Sequence, residues 1–172
     1  MMRRLAPILI VSLVALLAGC DGGDDAASTQ PPAPPTTTSD TGKAALERAV
    51  RQALRENDRL SSYVLSSNRV PAWATRSTRG PALAALRRSA ADRRNRGIRV
   101  RTLVNKLEIA SVELDPSYAQ ATAVVRSIQR VRPYRGRKPI GRAVNLDERA
   151  KVELRRLGAS GRFVVWRVRV QG

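Results

Sequence analysis

The amino-acid sequence predicts an α+β fold: N-terminal helices packed on a curved, mainly four-stranded antiparallel sheet, in a cone-like arrangement. Three observations carry that prediction. Apolar residues recur at three- and four-residue spacing in 43–62 and again after Gly80, the period of an amphipathic helix. After Gly97 the period becomes alternating and stays so to the C-terminus, as half-buried strands require. Turn residues at Asp115-Pro116-Ser117 and Gly158-Ala159-Ser160-Gly161 then cut the alternating region into consecutive hairpins.

The first helix is expected over about 43 to 62, after Asp40 or Thr41, either of which can cap it by accepting a backbone N–H bond. Leu46, Ala49, Val50, Ala53, Leu54 and Leu60 form its apolar face, and Glu47, Arg48, Arg51, Arg55 and Glu56 lie between them. Ser66-Ser67-Asn68, Pro71 and Ser77-Thr78 mark a turning segment, with one short apolar turn at Val70, Ala72 and Trp73. Gly80-Pro81 starts the next helix, because proline suits the first helical position. Leu83, Leu86 and Ala90 face its core, Arg93, Arg94 and Arg96 crowd its last turn, and Gly97 stops it.

The first strand starts with Ile98, Val100 and Thr102 on one face, and then its apolar parity flips to Leu103, Leu107 and Ile109. That flip predicts a bulge near 102 to 104. Ala119 to Val131 is the return strand, and Arg132 to Arg142 is read as a break. Ala150, Val152 and Leu154 alternate with charged residues in the third strand, and Val164, Trp166, Val168 and Val170 alternate with Arg167 and Arg169 in the fourth. For both apolar sets to share a face, the connection must leave an odd number of unpaired residues, three or five. A plain four-residue loop would put Trp166 outside.

Ahead of the helices, Arg3 and Arg4 lead into an apolar run from Leu5 to Leu17 and then into Leu17-Ala18-Gly19-Cys20. A basic start, an apolar stretch and small residues at the cut are the parts of a secretory signal. The ending resembles a bacterial lipobox, in which the thiol takes diacylglycerol and the mature chain starts at the cysteine. The resemblance implies residues 1–20 as a lipoprotein signal peptide, lipidation at Cys20, and export to the outer face of the cytoplasmic membrane. General secretion fits better than twin-arginine export, since Leu5-Ala6-Pro7 continues the Arg3-Arg4 pair poorly. Residues 21–42 hold Asp21, Asp24, Asp25 and Asp40, prolines around Pro31 to Pro35, and Thr36-Thr37-Thr38. No core can be built from that composition, so the segment reads as a disordered linker, about 26 Å long as a coil. The folded domain is expected over 43–172.

The formal net charge is +18, and only Arg3 and Arg4 among the cations precede Lys43. The whole positive excess therefore belongs to the expected domain, and it attracts anionic surfaces and polyanions. Its densest stretch is Arg132-Pro133-Tyr134-Arg135-Gly136-Arg137-Lys138-Pro139-Ile140-Gly141-Arg142, which contains no acid. Either this is a solvated loop, or Arg132, Arg135, Arg137, Lys138 and Arg142 contact anionic lipid headgroups or wall polymers. Each cation near such a surface is worth about 1 kcal/mol. Nucleic acid is not expected as a partner, because an exported protein meets little RNA.

The chain has no histidine and one cysteine, Cys20. Ser-His-Asp and Cys-His pairs and structural zinc are thereby excluded as expectations, and no cofactor, metal or catalytic residue is assigned.

The order of helices and strands is similar to the nuclear transport factor 2-like (SnoaL-like, cystatin-like) fold. Gly80-Pro81-Ala82-Leu83 ahead of Ile98-Arg99-Val100, Val112-Glu113-Leu114-Asp115-Pro116 turning into Ala121-Thr122-Ala123-Val124-Val125, and Phe163-Val164-Val165-Trp166-Arg167-Val168 carry the likeness, over about 43 to 172. It implies a cone that encloses a pocket in some members, here lined by Tyr63, Trp73 or Trp166. Enzymes of that fold usually carry Asp/His or Tyr/Asp constellations in the pocket; here histidine is missing, and Glu108, Glu113 and Glu153 on the expected strands do not resemble an acid–base pair. The leading expectation is a membrane-anchored, non-catalytic ligand- or partner-binding domain. The alternatives are an isomerase or cyclase working in the cone, and a polyanion-binding or wall-binding module. A homodimer through the exposed sheet face is a further expectation.

Overall fold

The computed structural model describes residues 40–158 and 161–171. The signal, Cys20 and nearly all of the linker lie outside the described residues, as do the side chains of Asp40 and Thr41. The first helix, α1, runs over Asp40–Ser67, five residues further at its C-terminal end than expected. Val64 keeps the buried period and is fully enclosed. The Ser66 and Ser67 hydroxyls bond back to the Tyr63 carbonyl at 3.0 and 2.8 Å, so serines that read as turn residues are absorbed into the helix.

Asn68 ends α1. It adopts a left-handed φ of 54° and donates its N–H to the Val64 carbonyl at 3.0 Å, the geometry of a helix C-terminal cap. Its buried amide donates to the Ile98 carbonyl and accepts from Arg93 Nε at 3.1 Å. Arg93 also reaches Ser89 Oγ and the Val64 carbonyl. One of the arginines expected in the last turn of the second helix is thus a half-buried bolt between the two helices.

A short 3-10 helix follows at Ala72–Arg76, and α2 spans Gly80–Asn95 with Pro81 in its first turn. Between them the chain lies beside the last strand. Val165 donates its N–H to Ser77 O and accepts at its carbonyl from Arg79 N, both at 2.9 Å, with Thr78 forming a parallel bridge to Val165.

The strands are β1 (Ile98–Leu114), β2 (Gln120–Arg135), β3 (Lys138–Pro139), β4 (Val144–Leu157) and β5 (Arg162–Gln171). They form an antiparallel sheet in the order β1-β2-β4-β5, with β3 as a short partner of β2. Register shifts fall between Thr102 and Val104, where the parity flip placed a bulge, and also between Ile109 and Ser111. A third falls in β4 and β5, beside Trp166. Each bulge bends its strand, and the sheet curves around the helices. The outcome is two helices and a 3-10 turn on a curved, open, mostly antiparallel sheet: the expected α+β fold.

The β4–β5 connection departs from expectation. Leu157 pairs with Arg162, which leaves four residues between them, an even number. Leu154 and Val165 are consequently opposite one another and share the buried face. The shift at Trp166 then restores equal parity, so that Val168 faces Val152 and Val170 faces Ala150. Trp166 is the extra residue. Its ring turns away from the core, with the Arg155 guanidinium 4.0 Å from its centroid.

The inner face of the sheet is filled. Ala121, Ala123, Val125, Ala150, Val152, Leu154, Phe163 and Val165 meet Val50, Ala53 and Leu54 of α1 and Ala82 of α2 in one cluster. A second cluster of Leu60, Val64, Ala74, Leu83 and Ala90 joins the helices to the 3-10 turn.

Candidate functional site

Strand pairing decides where the cations go. The segment 132–142 was expected to be a break, yet β2 continues to Arg135, because Ile98 to Arg101 remain available as partners on β1. The chain then turns over Gly136 and Arg137 and returns through β3, with Arg135 opposite Lys138 and Tyr134 opposite Pro139. Gly136 has φ +60°, which a two-residue hairpin of type II′ needs at its first central position. Ile140 N closes the turn on the Pro133 carbonyl at 3.0 Å.

This pairing places Arg101 directly opposite Arg132, and Arg99 opposite Tyr134. Residues directly opposite on neighbouring strands share a face, so Arg99, Arg101, Arg132 and Tyr134 lie together on the side away from the helices. Like charges so placed repel. The Arg132 Nε is buried and has no acceptor among the described residues. Arg135, Arg137, Lys138 and Arg142 are exposed around the hairpin, so four of the five candidate cations ring the turn and Arg132 sits on the strand behind it. Arg99 and Arg101, missed by sequence reasoning, join them. The signal that could have found them is their alternation with Ile98 and Val100.

Further along the same face, two groups of cations are paired with acids. Arg126 holds Asp147 through two hydrogen bonds of 2.8 and 2.6 Å and lies 3.8 Å from Glu108, which also binds Lys106 at 2.7 Å. Glu153 binds Arg169 at 3.1 Å and Arg167 at 3.9 Å. The hydrogen bond from Lys106 holds Glu108 below the usual carboxylate range, and that from Arg126 does the same for Asp147. The hairpin end has no acid, so its charge is uncompensated.

On the inner face a polar chain crosses from helix to sheet. Gln129 Nε2 donates to Asn105 Oδ1 at 3.1 Å, and Asn105 Nδ2 donates to Asp58 Oδ2 at 2.6 Å and to Ser62 Oγ at 3.3 Å. Burial pushes the Asp58 carboxyl up, against the opposing pull of Asn105 and the charge of Arg59. An acid raised in the folded state binds its proton more tightly there than in the unfolded chain, so its stability contribution falls as pH climbs through the range just above an ordinary aspartate. Asp58→Asn keeps an acceptor for Asn105 and removes that loss. Thermal melts across pH 4 to 7 should show the variant gaining on the parent as pH rises; a constant difference would contradict the assignment.

The three aromatic residues proposed for a pocket do not converge. Tyr63 and Trp73 pair, their ring centroids 6.1 Å apart and tilted by 59°, while Trp166 lies against Gly80 and Arg155. Trp73 lines an open cleft of about 230 Å³ with Glu56, Arg59, Arg76, Ser77 and Arg162. Arg162 Nη2 binds Glu56 Oε2 at 2.7 Å and Gln52 Nε2 binds Glu56 Oε1 at 3.0 Å. Burial pushes Glu56 upward, but these bonds and the nearby arginine charges outweigh it and hold the carboxyl below its usual range. No described helix is long and apolar enough to cross a membrane.

No protein-family model and no curated protein matches this chain. Among solved structures, the chain is similar to the intermembrane-space region of the chloroplast protein ARC6. The two share 12% identity at a TM-score of 0.62, over 73% of this chain and 95% of that one. At that identity the likeness concerns the fold alone.

Proposed function

We propose that this protein is a lipid-anchored, extracytoplasmic lipoprotein whose non-catalytic domain docks on an anionic surface, either lipid headgroups or a wall polymer, through the hairpin end of its sheet. The carrying observation is Arg101 set opposite Arg132 with no acid nearby and with the Arg132 Nε lacking an acceptor. A like-charge pair on adjoining strands is destabilising by itself, and an anionic group lying across both guanidiniums relieves the repulsion. Arginine suits this role because its planar fork matches phosphate and carboxylate oxygens two at a time.

The lipobox-like ending at Cys20 supports the anchor. With the acyl chains tethering the domain, the cationic end orients it, since attraction to an anionic surface acts only within a Debye length of about 8–10 Å. The filled inner face favours binding at the surface over chemistry in an enclosed pocket. The same cationic excess opposes stacking of the outer face on a second copy.

The anchor is tested in cells. Globomycin, which blocks the lipoprotein peptidase, is expected to accumulate the uncut, membrane-held precursor. Processing and membrane retention that ignore the drug would contradict the anchor.

A further inference from the structure

The cleft between α1, the 3-10 helix and the start of β5 is built differently from the hairpin end. It gathers Arg59, Arg76 and Arg162 around one acid, Glu56. Arg162 is held by Glu56, with its remaining N–H groups uncommitted among the described residues, whereas Arg59 and Arg76 make no hydrogen bond or ion pair there. The cleft is therefore net cationic, with one guanidinium fixed in place and two free to close on a ligand. One wall is the indole of Trp73, 41% exposed and backed by the Tyr63 ring. A flat, half-exposed aromatic face beside guanidiniums offers stacking for a ring next to donors for an anion. Glu56 and the buried Ser77 hydroxyl oxygen keep spare lone pairs for hydroxyl donors on the same ligand.

The geometry points to a discrete site for a phosphate ester of a polyhydroxylated ring, with Arg59, Arg76 and Arg162 on the phosphate and Trp73 against the ring. Arginine forks recognise phosphate oxygens bidentately. A second recess, with Gln52 among its lining residues, adjoins this cleft at the Glu56–Arg162 pair and gives the ring's hydroxyls room beside polar groups. The site is independent of the cationic hairpin, with which it shares no residue. Such a group can come from a soluble sugar phosphate or from a glycerophosphoinositol-type lipid headgroup.

Calorimetric titration of the full chain in neutral detergent tests the site, with glucose 6-phosphate, myo-inositol 1-phosphate, inorganic phosphate and glucose as probes. At least one of the two esters should bind about ten-fold or more tightly than inorganic phosphate, and glucose should not bind. Arg59→Ala combined with Arg76→Ala should weaken the ester by about ten-fold or more, as expected for lost hydrogen bonds to charged groups. Trp73→Leu should bring the ester down to the level of phosphate. Tighter binding of glucose 6-phosphate assigns the site to a soluble sugar phosphate, and tighter binding of the inositol ester assigns it to a headgroup. Both arginines are exposed and make no hydrogen bond or ion pair among the described residues, so a melting temperature of the double variant close to the parent's keeps the comparison clean. No saturable binding of either ester, or equal binding by the double variant, overturns the proposal and leaves the hairpin reading untouched.

Discussion

Gly80→Ala is expected to destabilise the domain by about 3 kcal/mol, combining a left-handed residue with a crowded core-edge contact. The chain reaches Gly80 bound to the edge of β5 through Ser77 and Arg79 and must enter α2 within one residue. It does so at φ +55°, a region in which a side chain is strained. A Cβ there would lie 2.8 Å from three ring atoms of Trp166, and these belong to a rigid indole, not to the far end of a flexible side chain. Urea unfolding of Gly80→Ala, Trp166→Ala and the double variant separates the two causes. The double variant should be more stable than the sum of the single losses by about 1–2 kcal/mol, because removing the indole abolishes the clash and leaves the strain. Strict additivity would mean that the contact with Trp166 is not the reason for glycine.

Phe163→Ala should cost about 3–5 kcal/mol. Phe163 is the largest fully enclosed side chain among the described residues and packs in the cluster shared by α1, β2, β4 and β5. With only two tryptophans and one phenylalanine in the chain, the small alanines of β2 cannot close the space it leaves. Domain stabilities run about 5–15 kcal/mol, so the variant loses a large share of the total. Phe163→Leu, which nearly conserves volume, should cost less than about 1.5 kcal/mol. The pair is read from chemical denaturation with an unchanged denaturant slope; a loss below about 1 kcal/mol for alanine would show that the cluster is not the core of the fold.

Much of this architecture is legible from periodicity. The parity flip at Leu103 announced the β1 bulge because a half-buried strand cannot change its apolar face without inserting a residue. The β4 alternation fixed which face of the sheet is buried. The odd-loop rule for β4 and β5 stated what an even loop would do to Trp166, and the even loop did it. The repair by a bulge at Trp166 was invisible, since it depends on Gly80 and Arg155 arriving from elsewhere in the chain. Arg132 to Arg142 read as a break, a stretch holding Pro133, Gly136, Pro139 and Gly141, yet pairing with β1 carries β2 on to Arg135. Asn68 read as part of a turning segment and Arg93 as one cation of a helix end, and only the meeting of two helix ends with Ile98 makes them partners. At the candidate sites the cations of the hairpin were evident as a run. Arg99, Arg101 and the Arg59–Arg76–Arg162 grouping were not, because register and folding bring them together across the sequence.

The docking surface is tested most directly by the salt dependence of binding between the full chain, in neutral detergent, and polyphosphate as a soluble anionic probe. Three proteins are compared: the parent, a variant with Arg101, Arg132, Arg135 and Lys138 replaced by alanine, and a charge-matched control with Arg48, Arg55, Arg87 and Arg88 replaced. The affinity of the parent should fall linearly with salt on a double-logarithmic scale, and the hairpin variant should lose about one unit of slope for each contacting cation removed. The control should keep most of the parent's slope. A flat salt response, or equal loss in both variants, would contradict a docking surface at the hairpin end of the sheet.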